Sequence, residues 1–151
     1  MENEKVVEVN MGKGILFALG GMVGGFGIWI AVIAFLGLGT GGAIGGFFAA
    51  IVGGLVAGGY QKGGGKPGAV GTILVMIMAI VGAFAAIYLG IAIYLNNEGV
   101  ANSLSDAFDL MSTNRTLRGA VIQDSIISVG GAAIMAVVTM MGSKKEKKAK
   151  D

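Results

Sequence analysis

Residues 37–60, GLGTGGAIGGFFAAIVGGLVAGGY, are apolar from end to end, and a glycine pair returns every few positions. A helix exposed to water keeps a polar face, so a stretch without one belongs in lipid or a protein interior. The glycines stand four apart at Gly41/Gly45, Gly42/Gly46 and Gly54/Gly58. Four residues make about one helical turn, so each series lines one face. In a bilayer, a flat face of small residues lets a second helix backbone come close, and that contact is a main source of association.

The same composition continues on both sides. Upstream, Gly14 to Leu38 carries no charge and repeats the spacing at Gly20/Gly24 and Gly21/Gly25. At about 25 residues it is long enough to cross a bilayer, where ~20 suffice. It is too long and too weakly flanked for a cleavable signal. A first helix is therefore expected at about 14–38 and a second at about 41–60, joined by a tight hairpin at 39–42. GGMVGGF at 20–26 and GGAIGGF at 41–47 form a local repeat, but consecutive spans run antiparallel, which puts the two copies at different depths. Downstream, QKGGGKP at 61–67 reads as a loop, with its glycine run and the chain's single proline. A long apolar span follows at about 68–95, offering a small-residue stripe at Gly82, Ala86 and Gly90. Residues 96–118 are the long polar segment. Within it Leu104, Ala107, Phe108 and Met111 fall on one helical face, and Ser103 with Asp106 resembles a capping box. The last span is expected at about 119–141.

Only 13% of the 151 residues are charged, where soluble domains carry about 25%, and the mean hydropathy is +0.79. Glycine is abundant but paired, with a single proline, which excludes collagen. With no Cys and no His, the chain lacks disulfides and the usual transition-metal ligands. No cofactor and no nucleic-acid partner is expected. The basic character sits in the tail GSKKEKKAKD, through Lys144, Lys145, Lys147, Lys148 and Lys150. These lysines suit a membrane surface, or serve as a topology signal. Counting connections, Lys5, Lys13, Lys62, Lys66 and the tail lysines fall on one side, and Arg115 and Arg118 on the other. The positive-inside rule then puts both termini in the cytoplasm.

Asp124 is the one acid inside an expected span, beside Gln123, Ser125 and Ser128, and it shares a helical face with Ser128. An unpaired charge at mid-bilayer costs ~3 kcal/mol even on insertion scales. Gln123, Asp124 and Ser128 are therefore the candidate polar intramembrane site, to be weighed against a hydrogen-bonded structural cluster near the headgroups. No second acid or base stands in helical reach, so no catalytic residue is assigned and the chain is not expected to be an enzyme. GGGKPG around Lys66 lacks the spacing of a phosphate-binding loop. Asn114-Arg115-Thr116 is a glycosylation sequon of consequence only in a eukaryotic secretory pathway.

Glycine-paired first and second spans, the QKGGGK loop, a long third span, the connector SLSDAFDLM and a last span opening with GAVIQDS resemble a loose group of small, glycine-rich prokaryotic membrane proteins of uncharacterised activity. The resemblance implies four spans and a prokaryotic inner membrane, and carries over no site residue. The expectation is an all-α integral membrane protein: a polar cytoplasmic lead-in at 1–13, four transmembrane helices in a glycine-packed bundle within 14–142, a short interfacial helix between the third and fourth, and a basic cytoplasmic tail at 143–151. Its expected partners are the lipid bilayer and either itself or another membrane protein. A scaffold or accessory subunit is the leading expectation, and a small oligomeric channel or transporter using Asp124 the alternative.

Overall fold

The computed structural model describes residues 10–37 and 44–148, with backbone alone at 36 and 143–148. Five helices follow one another: α1 Met11–Leu36, α2 Gly46–Lys62, α3 Ala69–Asn97, α4 Leu104–Thr113 and α5 Arg115–Lys148. Among the described residues there is no strand. Three of them, α1, α3 and the Arg115–Gly142 part of α5, are long and apolar enough to cross a membrane.

Local chemistry sets the ends. The Asn10 side chain accepts from the Lys13 amide at 3.0 Å and opens α1. Gly37 closes it with φ +78°, a conformation an L side chain resists, while its amide donates to the Ile33 carbonyl. Gly64 (φ +87°) turns the 61–67 loop, and the Asn10 amide donates to its carbonyl at 3.2 Å, tying the loop to the start of α1. Ser103 Oγ accepts from the Asp106 amide at 3.1 Å, so that hydroxyl caps α4. Asn114 ends α4, and its Oδ1 accepts from the Thr116 and Leu117 amides to start α5.

These caps shift the expected ends. The last long helix starts at Arg115 rather than 119, because Asn114 provides an N-cap there. The second is helical from residue 44, with α-helix over Gly46–Lys62, and its expected start at 41 lies outside the described residues. Its 17 α-helical residues stand at the short end of the range for a crossing. The expected hairpin at 39–42, with Gly41 and Gly42, lies outside the described residues, as do residues 1–9 of the lead-in.

α2 packs against α1, α5 and α3, while α3 packs against α1, α5 and α4. α1 and α5 stand at opposite corners, and no Cα pair between them comes within 8 Å among the described residues. α2 runs antiparallel to α1, with Gly21 beside Leu55 and Gly59 beside Phe17, and parallel to α5, with Gly53 beside Ala132 and Gln61 beside Thr139. Small residues fill much of the interior: Ala49, Ala57, Ala79, Ala83, Ala86 and Ala132 are all fully buried. Large apolar residues face outward, including Leu16, Phe35, Ile126 and Ile134. In water that distribution would be an aggregation liability, whereas lipid tails solvate it and small residues let helices approach. It is the pattern of a helical membrane protein.

α4 touches α3 and α5 through Ala107 and Met111, which are buried. Leu104 and Phe108, expected on the same face, are exposed, since the contact takes only one edge of this 10-residue helix.

Candidate functional site

The Asn114 cap fixes the register of α5, and with it the depth of Asp124. Nine residues into the helix, Asp124 lies ~14 Å along the axis from its start. One turn later comes Ser128. Asp124 and Ser128 face the junction of three helices and line a cavity with Trp29, Ile33 and Gly37 of α1 and Ile87 and Ile91 of α3. Its free space, about 10 Å³, is room for one water.

Three features define the chemistry of this cavity. Ser128 is fully buried, and its Oγ has no hydrogen-bond partner. Asp124 is partly buried and forms no hydrogen bond or ion pair among the described residues; Arg118 is exposed. Gly37, which ends α1, brings the negative end of that helix to the same cavity, and the last turn of α1 holds no basic residue. A hydroxyl donor and a carboxylate acceptor thus flank a space of water size. Of the expected polar trio, Asp124 and Ser128 come together, while Gln123 is exposed on another face. Ser125 is buried but occupied, donating to the Val121 carbonyl at 2.7 Å. The contribution of α1 was not legible from the sequence, because Ile33 and Gly37 carry no polar side chain and Trp29 only an indole N–H, and none stands near Asp124 in the chain.

The glycines divide into two sets. A β-carbon on Gly21 would strike the Leu55 carbonyl, and on Gly25 it would stand 3.2 Å from the Val52 Cα. On α3, Gly82 lies against Met22 and Gly90 against Ile33, each with 2.8 Å to an added β-carbon, and Ala86 between them is fully buried. Gly46 lies beside Ile127, and its carbonyl is 2.8 Å from where a Gly131 β-carbon would be; Gly45 is buried. The other set is open. Nothing lies within 4 Å of a β-carbon at Gly20, Gly24 or Gly58, and Gly54 meets only the Met135 side chain. The tightest approaches on α2 are at Gly53, against the Ala132 carbonyl, and Gly59, against the Phe17 carbonyl. Neither belongs to the Gly54/Gly58 series expected from spacing.

Lys144, Lys145, Lys147 and Lys148 lie on the helical backbone of α5, and Lys150 lies outside the described residues. Among the described residues no three His, Cys, Asp or Glu side chains gather in a group that could hold a metal. No protein family, curated protein or solved structure matches the chain. The functional reading therefore rests on the geometry alone.

Proposed function

We propose that the chain is a non-enzymatic membrane scaffold or accessory subunit that crosses the bilayer four times and offers glycine-lined helix faces to a neighbour. The observation that carries this reading is the outward series Gly20, Gly24 and Gly27 on α1, exposed and with nothing within 4 Å of an added β-carbon. These glycines serve no contact inside the protein, and in lipid such a face suits another helix backbone. The lysine distribution favours cytoplasmic termini, and the resemblance favours a prokaryotic inner membrane.

The test is the mass of the native complex in nanodiscs. A homo-oligomer or a stoichiometric membrane partner is expected, and Gly24→Leu should dissociate it without altering the fold, because that position is open. A wild-type protein that runs as a lone monomer, or a Gly24→Leu variant that assembles normally, would sink the reading.

One observation favours a second reading, a small oligomeric channel or transporter: the unpartnered Ser128 hydroxyl in a cavity shared with Asp124. Ion or proton flux in proteoliposomes that disappears in Asp124→Asn would select it, and absence of flux in the wild type removes it.

A further inference from the structure

At the far end of the molecule from Asp124, an open groove of about 340 Å³ lies between the start of α1 and the start of α3. Its walls are mostly apolar, with Met11 and the 67%-exposed Val70 among them. The two polar side chains that reach it, Lys66 and Tyr60, can both donate, and the Lys66 carbonyl lies beside Gly71. Lys66 is exposed at its edge. Pro67 has no amide hydrogen, Gly68 has no side chain with which to cap α3, and the first turn of α3 holds no acid. The amides of Gly68, Ala69, Val70 and Gly71 accordingly donate to no protein acceptor among the described residues. A second feature points the same way. Tyr60 is 1% exposed, yet its hydroxyl makes no hydrogen bond, and it lies 2.9 Å from the position of a Gly71 β-carbon, at the amide end of α3.

Free amides, a helix dipole, a lysine and an unsatisfied phenol ask for an anion. The apolar walls ask for hydrocarbon. α3 is long and apolar enough to cross a membrane, so its first turn sits at headgroup depth. Among the described residues this end carries Lys13, Lys62 and Lys66 with no acid, whereas the other carries Glu98, Asp106, Asp109 and Asp124 beside Arg115 and Arg118. We infer that this groove is a binding site for one anionic glycerophospholipid, its phosphate held by the α3 amides, Lys66 and the Tyr60 hydroxyl, and an acyl chain lying along Met11 and Val70. A free phosphate would leave the apolar wall unused, and a zwitterionic lipid would bring a choline cation to a site built of donors.

The full-length protein, carried into native mass spectrometry from nanodiscs of phosphatidylglycerol or phosphatidylcholine with equal acyl chains, provides the test. One phosphatidylglycerol should be retained and phosphatidylcholine should not. Lys66→Gln should cut retention about fivefold, the worth of one lysine near an anionic surface. Tyr60→Phe should cut it by roughly threefold to tenfold through the lost hydrogen bond. Lys62→Gln, at the last residue of α2 and outside the groove, should change nothing. Equal retention of the two lipids overturns the inference, as does unchanged retention in Lys66→Gln, whatever Tyr60→Phe does. Inorganic phosphate that displaces the lipid at equal concentration also overturns it, in favour of a free-anion site.

Discussion

Gly53→Ala and Gly58→Ala place the same methyl group on the same helix, and their effects should differ in sign. At Gly53 the new β-carbon would overlap the Ala132 carbonyl oxygen, a backbone atom that cannot swing aside, so α2 and α5 must part by roughly 1 Å. A gap of that size forfeits a quarter to a half of each dispersion contact, at ~0.1–0.2 kcal/mol per atom pair. Over on the order of 50 atom pairs across this face the loss is ~2–4 kcal/mol. Alanine returns ~1 kcal/mol through helix propensity, leaving about 2 kcal/mol of net destabilisation. At Gly58 the methyl meets open space, and only the favourable propensity remains. The chain's single tryptophan, Trp29, is 2% exposed and reports the folded core, so its fluorescence during denaturing-detergent titration of mixed micelles can follow unfolding. The expected result is a roughly thirtyfold fall in the folded-to-unfolded ratio for Gly53→Ala and a roughly fivefold rise for Gly58→Ala. Equal effects at the two positions, or no effect at Gly53, would refute the assignment of the α2 faces.

Two further substitutions probe the ends of helices. Gly37→Ala should cost at least ~1–2 kcal/mol in the same titration, because its φ of +78° disfavours a side chain and the Tyr94 ring stands 2.5 Å from the new β-carbon. Ser103→Ala should loosen α4 by about 1 kcal/mol through loss of the Ser103–Asp106 cap, read as faster hydrogen exchange across residues 104–113 with the midpoint of the Trp29 transition unchanged.

Much of the architecture follows from composition. The apolar runs around Gly20 and Ala86 are long enough to read as membrane-compatible helices, and the Ser103 cap was visible as a residue pair. Glycine spacing was less informative than it looked, because adjacent glycines point ~100° apart and a pair always offers two faces. Spacing selected Gly54/Gly58, whereas Gly53 meets α5 and Gly59 meets α1, six residues apart and on different sides of α2. A helix gripped by two partners needs no single four-residue period. The cavity was half visible. Asp124 and Ser128 share a helical face by simple count, but the walls from α1 and α3 depend on how three helices meet, and the chain distant in sequence has no local signature of that. The donor groove was less visible still, since unsatisfied amides belong to backbone and leave no mark in the order of side chains.

The parallel contact of α2 with α5 bears on how the protein is made. Synthesis delivers α2 with α1 already present and α3 next, while α5, beyond α4, is still to come. At ~5–20 residues per second, the face around Gly53 waits on the order of several seconds for Ala132 to arrive. During that interval α2 is held by its contacts with α1 and then α3, with its α5 face uncovered. A chain that stops before Ala132 leaves α2 unfinished, presenting bare backbone to whatever proteases and insertases patrol the membrane.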